Sequence, residues 1–353
     1  MTRGLRALLG GLGIAIVGLI AWLTPHVSGF TRAVLGLLSA MTIWYVWRWP
    51  QLEQRLAAAE ASRVAGGTAV PAPSPTDPAA IGPGSAGPGG PRVFDLAVGF
   101  ITNFFDTLGI GNFAPTTAAL KFTRRIPDED IPGTLNVGHA LPVLTEALIF
   151  IAAIVVDPRL LIAMIVASIL GAWLGAGVVA RMPRRAIQVG MGTALAIAAA
   201  LFMAANLHWM PVGGTATAFS GTPFLVAVVG NFFLGALMTL GIGLYAPCLI
   251  MLSLLGLDPR AAFPIMMGSC AFLMPVGGVR FVRSRRYSTP VALGFAIGGP
   301  PAVLIAGYLV KSMPLVWLRW LVVCVVLYAA VMMLTSALRR APLSSGAALV
   351  SSE

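Results

Sequence analysis

The sequence is poor in charge and in reactive groups. Only 10% of its 353 residues are Asp, Glu, Lys or Arg, whereas an average soluble domain carries about 25%. The three cysteines lie in separate apolar runs, which excludes a disulfide framework and a zinc site of closely spaced ligands. No glycine-rich loop ends in Gly-Lys-Ser or Gly-Lys-Thr, so nothing predicts ATP hydrolysis. We expect no cofactor and no metal.

The sequence is rich in long apolar runs. Apolar residues make up 58% of the chain, and runs of about 18 or more recur along it, each long enough to cross a bilayer. The net charge of +11 comes from Arg clusters between these runs. Such clusters are typical of loops that face the cytoplasm, so we expect no nucleic-acid partner. The sequence predicts a multi-pass protein of the cell (inner) membrane, surrounded by the lipid bilayer.

The N-terminal part differs from the rest. Two apolar runs, 8–23 and 30–47, predict a transmembrane hairpin that ends in a short helix. A signal peptide is the alternative for the first run, because Arg3 and Arg6 precede it. A Pro/Gly-rich segment follows, and it cannot bury enough apolar surface to fold.

The main body contains a duplicated motif. Residues 107–111, Thr-Leu-Gly-Ile-Gly, recur unchanged at 239–243, and Ala-Pro follows both copies at 114–115 and 246–247. Each copy interrupts a long apolar run and precedes three further runs, which predicts an internal duplication. The predicted parts are an N-terminal transmembrane hairpin and short helix (1–65), a disordered linker (66–92), a first transport repeat (93–206), a second transport repeat (222–340) and a C-terminal tail (341–353).

The basic residues predict how the broken runs lie. If each run crossed the membrane fully, the Arg clusters of the two halves would face opposite sides, against the positive-inside rule. If each is a re-entrant hairpin turning at its glycines, 18 of the 23 Lys and Arg residues lie on one side and five lie on the other side or near it. Each half then crosses three times, so the halves have opposite orientations. The five exceptions are Arg32, Arg159, Arg260, Lys311 and Arg319.

The predicted fold is therefore an all-α polytopic membrane protein with both termini in the cytoplasm. It consists of inverted repeats, each a re-entrant hairpin plus three transmembrane helices, with an extra N-terminal helical hairpin. Inverted repeats with Gly/Pro-interrupted segments at matching positions indicate a secondary transporter. A helix that restarts after a glycine turn presents free N–H groups and a partial positive charge, which suit an anion.

The hairpin motif resembles the sulfite exporter TauE/SafE family of membrane permeases. The resemblance rests on the duplicated Gly-x-Gly…Pro and on the Gly-His (138–139) or Gly-Ser (268–269) after it. It covers about 93–338 and leaves out the N-terminal hairpin. It implies ion-coupled transport of small anions, often sulfite, sulfoacetate or another organosulfur compound. Many members have a run of glycines where this chain has Gly-Ile-Gly-Asn (109–112), so the substrate stays open.

Polar groups surround both predicted hairpin turns. Their hydroxyl, amide and backbone N–H groups donate hydrogen bonds that an anion accepts. The alternative is a local role, in which Thr bonds carbonyls of its own helix and Asn caps the restarting helix. The candidate substrate-binding residues are Thr107, Gly109, Gly111, Asn112, Thr116, Thr239, Gly241, Gly243, Tyr245 and Ser269.

Three ionisable residues lie inside apolar segments and are candidates for ion coupling: Asp106, His139 and Glu146. A charged Asp106 would repel an anion, which favours coupling to protons. His139 and Glu146 are seven residues apart and share one helix face, with a kink predicted at Pro142 between them. The alternative is a set of polar contacts that hold helices together. Asn103 is a weaker candidate.

The predicted function is a secondary transporter (permease) for a small anion, sulfite or an organosulfonate, by alternating access with proton coupling. The chain is not expected to be an enzyme. Two alternatives stay open: a passive anion channel, and a membrane-embedded enzyme using His139 and Glu146 as acid and base, for which no nucleophile is evident. The spacing of Gly171 and Gly175 predicts close helix packing and leaves a homodimer open.

Overall fold

The computed structural model describes residues 27–65, 90–127, 130–175, 214–238 and 243–312, together with parts of 7–18, 189–209 and 317–335. Over these ranges the chain is mainly helical and forms no strand beyond one isolated bridge. The continuous helices are α1 (Gly29–Ala65), α2 (Val93–Thr107), α3 (Phe113–Thr123), α4 (Ile131–Gly138), α5 (Ala140–Ala153), α6 (Pro158–Leu170, followed by a π-helical turn, Gly171–Gly175), α7 (Gly221–Met238), α8 (Tyr245–Leu254), α9 (Pro259–Ser284) and α10 (Thr289–Ser312).

The length and composition of the helices make this a multi-pass membrane protein. Four of the described helices, α1, α7, α9 and α10, are long and apolar enough to cross a membrane. A fifth span arises if the bent pair α4 and α5 counts as one. Residues 66–89 of the predicted linker, the predicted tail, and much of the apolar runs 8–23, 186–205 and 314–338 lie outside the described residues.

Helices α2 and α3 form a hairpin. The chain turns between them through Gly109 at φ +94° and Gly111 at φ +86°, a left-handed conformation that costs other residues about 1 kcal/mol or more. At the far ends, the Arg125 guanidinium donates to both oxygens of the buried Asp95, at 2.9 and 3.1 Å. The start of α2 and the end of α3 therefore lie side by side.

Replacing Arg125 with Gln is expected to lower the free energy of unfolding by about 3 kcal/mol, because it leaves the buried Asp95 carboxylate without its partner. A lower melting temperature in detergent measures the loss. The double variant Asp95→Asn, Arg125→Gln carries no unpaired charge and should recover most of it. Equal melting temperatures for the single variant and the wild type would show that this ion pair does not fasten the hairpin.

Helices α4 and α5 are one apolar segment bent by 42° at His139. The sequence predicts a kink at Pro142, and the bend lies one turn earlier. Pro142 has no N–H for the carbonyl of Gly138, and its ring crowds that carbonyl. The helix therefore breaks between Gly138 and Ala140, and His139 sits at the break.

The buried centre of the molecule is formed by α5 and α9. In the span of α9, 89% of residues are buried, against 22% in the span of α1 and 28% in that of α7.

Glycines let the surrounding helices approach closely. A Cβ on Gly171 would lie 1.8 Å from the carbonyl oxygen of Phe232 in α7. The close packing predicted there is therefore present, and it occurs within the chain.

The segment just before α7 forms backbone hydrogen bonds with the starts of α6 and α9. The N–H of Asp157, at the N-cap of α6, donates to the carbonyl of Thr217 at 3.2 Å. The N–H of Asp258, at the N-cap of α9, donates to the carbonyl of Ala216 at 2.8 Å. The starts of α6, α7 and α9 therefore lie at the same end of the molecule.

Candidate functional site

Asn103 in α2 is the centre of a buried polar network. Its Oδ1 accepts a hydrogen bond from Asn112 Nδ2 at 3.2 Å and lies 3.1 Å from His139 Nδ1. Its own Nδ2 donates to the carbonyl of Gly99 at 2.6 Å. Because both sides of the amide are used, Asn103 holds the first hairpin against the break between α4 and α5.

Asn112 links the turn of the hairpin to Asp106. It stands at the N-cap position of α3, but its side chain does not cap that helix. Its Nδ2 donates instead to Asp106 Oδ2 at 2.6 Å and to Asn103. The capping role that was the alternative for Asn112 is therefore not the one observed. Asp106 is 1% exposed, and this amide is its hydrogen-bond partner across the turn.

His139 is held on both ring nitrogens and on one ring face. Its Nε2 lies 3.2 Å from the hydroxyl of Thr116 in α3, and its ring stacks on Phe295 of α10 with centroids 4.7 Å apart. Because Asn103 presents a carbonyl-type oxygen to Nδ1, the neutral ring carries its proton there, and Nε2 accepts from Thr116.

Glu146 connects the first hairpin to α8. Its Oε2 accepts from the hydroxyl of Tyr245, the first residue of α8, at 2.7 Å. Its Oε1 lies 2.9 Å from the hydroxyl of Thr107, the last residue of α2. The same hydroxyl lies 2.8 Å from the carbonyl of Asn103, so it donates to one of these acceptors at a time. One carboxyl group thus contacts the first copy of the motif and the helix that follows the second copy.

The network contains acids but no fixed cation. Among the residues that the structure describes, no buried side chain is Lys or Arg. The buried carboxyl groups in the network are those of Asp106 and Glu146. An anion that entered beside them as carboxylates would be repelled, because Coulomb interactions are strong where water is excluded.

Asn231 in α7 and Ser269 in α9 form a buried polar contact that contains no charged group. Asn231 Nδ2 donates to Ser269 Oγ at 3.0 Å and to the carbonyl of Met164 at 2.7 Å. Ser269 therefore lies with Asn231, and no described hydrogen bond joins it to Glu146. Met238 occupies the place that matches Asp106, and it contacts Cys270 through sulfur. At this position of the sequence repeat the two halves therefore differ in chemistry.

One glycine of each motif copy lies against residues of the other half of the chain. A Cβ on Gly109 would lie 3.5 Å from the ring of Phe263 in α9 and 3.7 Å from Leu249 in α8. A Cβ on Gly243 would lie 3.8 Å from Phe113 Cβ. Gly111 has open space around its Cα. The candidates Thr239 and Gly241 lie outside the described residues.

Two functional contacts are not evident from spacing alone. The sequence ranks Asn103 low, although Asn-Phe-Phe at 103–105 recurs at 231–233 and marks both central amides. Phe295, which stacks on His139, carries no signal beyond apolar character. Asn136 donates to the carbonyl of Pro132 in its own helix, which is a local role.

One comparison with known proteins found a match. The family model described as Sulfite exporter TauE/SafE matches residues 1–203. The match begins at residue 1 and so includes α1, which the motif-based resemblance leaves out. No curated protein and no solved structure matches the chain. The match covers more than half of the sequence, and the chain belongs to the sulfite exporter TauE/SafE family.

Proposed function

We propose that this protein is a secondary transporter that carries a small anion, sulfite or an organosulfonate, across the inner membrane by alternating access coupled to protons. The observation that carries the proposal is the position of Glu146, whose two oxygens contact Thr107 at the end of α2 and Tyr245 at the start of α8. A buried carboxyl at that place can bind a proton, and its two contacts break if α2 and α8 separate.

The architecture in this proposal is a pair of inverted repeats, each with a re-entrant hairpin, and both termini in the cytoplasm. The contact between Asp95 and Arg125 supports a re-entrant first hairpin, because it brings entry and exit to one face. The matching pairs Asn103 with His139 and Asn231 with Ser269 support the repeat. A common face for the starts of α6, α7 and α9 is what the opposite orientation of the halves requires.

The anion would bind among hydrogen-bond donors at the first hairpin. The side chains of Asn112, Thr107, Thr116 and Tyr245 offer N–H and O–H groups, and the first turn of α3 adds backbone N–H groups and its dipole. A tetrahedral or pyramidal oxyanion accepts from several of these at once. Serine and threonine hydroxyls rotate to suit, so the donors serve the anion when it is present and the network when it is absent.

Proton binding and anion binding favour each other in this arrangement. Protonation of Asp106 or Glu146 removes a negative charge beside the anion, so it strengthens anion binding. By linkage, a bound anion strengthens proton binding by the same factor. An anion and a proton that enter together and leave together are symported.

The hydroxyl of Thr107 accommodates both states of Glu146. When Glu146 is a carboxylate, the hydroxyl donates to it. When Glu146 is protonated, the acid donates to the hydroxyl, which then donates to the carbonyl of Asn103, 2.8 Å away. Neither state leaves a buried polar group without a partner, so the proton can bind without the penalty of an unsatisfied group.

Uptake into proteoliposomes tests the proposal. We expect saturable uptake of sulfite or sulfoacetate, accelerated by an imposed pH gradient, and little uptake of sulfate or of a carboxylate control. Uptake that rises linearly with concentration and ignores the gradient would identify a passive channel. Absence of uptake for every anion, from protein shown to be folded, would contradict transport itself.

A further inference from the structure

We propose that α1 takes part in transport together with α2 to α10. We propose in particular that Tyr45 in α1 is a positioning residue for the bent pair α4 and α5, at whose bend His139 lies. The coupling hypothesis assigns no role to this N-terminal helix, although the family match over residues 1–203 includes it. The inference rests on the proposed function only where transport is the readout.

Tyr45 reaches across to the bend between α4 and α5. The side chain is 1% exposed, and its hydroxyl donates to the carbonyl of Val137 at 2.7 Å. Val137 lies in the last turn of α4, where carbonyls lose their ordinary helical partners. The N–H that would follow it in an unbroken helix belongs to Leu141, beyond the bend. Tyr45 therefore supplies a donor at the place where the helix cannot.

The surrounding helices leave room for this contact. A Cβ on Gly278 of α9 would lie 3.4 Å from the Tyr45 hydroxyl oxygen and 3.5 Å from the carbonyl of Asn136. Helices α1, α4 and α9 thus converge on one point, two residues before His139. Two sets of contacts therefore stabilise the bend: those of the His139 ring in the polar network, and that of the Tyr45 hydroxyl with the carbonyl of Val137.

A second set of contacts joins α1 to the residues just before α10. The Trp49 ring stacks on Tyr45 with centroids 5.9 Å apart, and its Nε1 donates to the Tyr287 hydroxyl at 2.9 Å. That hydroxyl donates in turn to Glu53. Burial, and then the nearby Glu53 carboxylate, raise the pKa of Tyr287 well above its ordinary value, so the phenol stays protonated and donates. Tyr287 lies just before α10, the helix whose Phe295 stacks on His139.

The position of the bend determines which side chains lie near His139. Helix α2 presents Asp106 through the amides of Asn112 and Asn103, α5 presents Glu146, and α8 presents Tyr245 bonded to Glu146. Helix α9 contributes Cys270, which contacts Met238 through sulfur, and α1 contributes Tyr45, which contacts the carbonyl of Val137. Helix α10 contributes the ring of Phe295, which stacks on His139. A shift of the break changes the distances from His139 to these groups and hence its proton affinity.

The variant that tests this inference is Tyr45→Phe, which removes the hydroxyl and keeps the ring. Its matched control is Thr42→Val, which removes a buried hydroxyl from the same helix. That hydroxyl donates to the carbonyl of Leu38 within the helix. Hydrogen exchange of the full chain in lipid nanodiscs is followed over 131–143. We expect exchange at least about threefold faster in Tyr45→Phe and unchanged in Thr42→Val.

The pH profile of anion uptake is the second readout, because a merely structural contact would not move it. We expect the midpoint to shift by about 0.5 pH unit in Tyr45→Phe and to stay in place in Thr42→Val. Unchanged exchange over 131–143, or faster exchange with an unmoved midpoint, would overturn the inference. If the wild type takes up no anion, the proposed function fails, and the exchange result alone decides whether Tyr45 positions the break.

A second variant keeps the test valid if Tyr45→Phe does not fold. Trp49→Phe keeps an aromatic ring beside Tyr45 and removes the N–H that reaches Tyr287. It is expected to accelerate exchange at the start of α10 and to leave 131–143 closer to the wild type. Exchange equal to that of the wild type in both segments would show that α1 does not stabilise α4, α5 or the start of α10.

Discussion

Replacing Glu146 with Gln is expected to make anion uptake independent of the pH gradient while the protein stays folded. The amide has the size of the carboxyl, and its oxygen and nitrogen still pair with the hydroxyls of Thr107 and Tyr245, which both donate and accept. It does not gain or lose a proton. The ratio of uptake with and without the gradient should fall to about one, the value that linkage requires when no proton is coupled.

Asp157→Asn is the matched control for Glu146→Gln. Asp157 caps α6 by accepting from the N–H of Leu160 at 2.9 Å, and Asn caps a helix as well as Asp does. Its replacement removes one carboxyl group away from the network and should leave the gradient response unchanged. The same assay is applied to Asp106→Asn and His139→Gln. An unchanged gradient response in all three network variants would contradict coupling through these groups.

Replacing Gly298 with Ala is expected to destabilise the protein by about 3 kcal/mol, at the upper end of overpacking costs. A Cβ at this position would lie 2.3 Å from the carbonyl oxygen of Leu96 in α2, and backbone cannot move aside as a flexible side chain can. Helix α10 would have to separate from α2. That separation also moves Phe295 away from His139, so uptake should fall together with stability.

Gly307→Ala is the control on the same helix. A Cβ at Gly307 would meet Ile149 at 3.5 Å, which is ordinary contact, and Ala favours a helix over Gly by about 1 kcal/mol. This variant should match or exceed the wild type in melting temperature. Similar melting temperatures for Gly298→Ala and Gly307→Ala would show that the close approach of α2 and α10 is not required.

The turn of the first hairpin could be predicted because glycine has a specific physical reason to be there. Both Gly109 and Gly111 have the positive φ angles that the Gly-x-Gly motif predicts. Apolar length likewise predicts the multi-pass fold. The bend at His139 could not be placed, because proline displaces the break to the carbonyl four residues earlier, and the sequence shows only the proline.

The polar network could be predicted in its members and not in its connections. Ionisable and amide side chains in apolar segments are costly unless they meet, so Asp106, Glu146 and His139 were natural candidates. Their separation into contacts with Asn112, Tyr245 and Asn103 depends on how five helices cross. Ser269 matches His139 by its place in the sequence repeat, and it contacts Asn231 as His139 contacts Asn103.

The measurement that tests the central claim most directly is the uptake of sulfite into proteoliposomes with the internal pH recorded in the same vesicles. The proposal predicts saturable uptake that a pH gradient accelerates, with acidification of the interior in proportion to the anion that enters. Saturable uptake with no accompanying proton would contradict the coupling assigned to Asp106, His139 and Glu146.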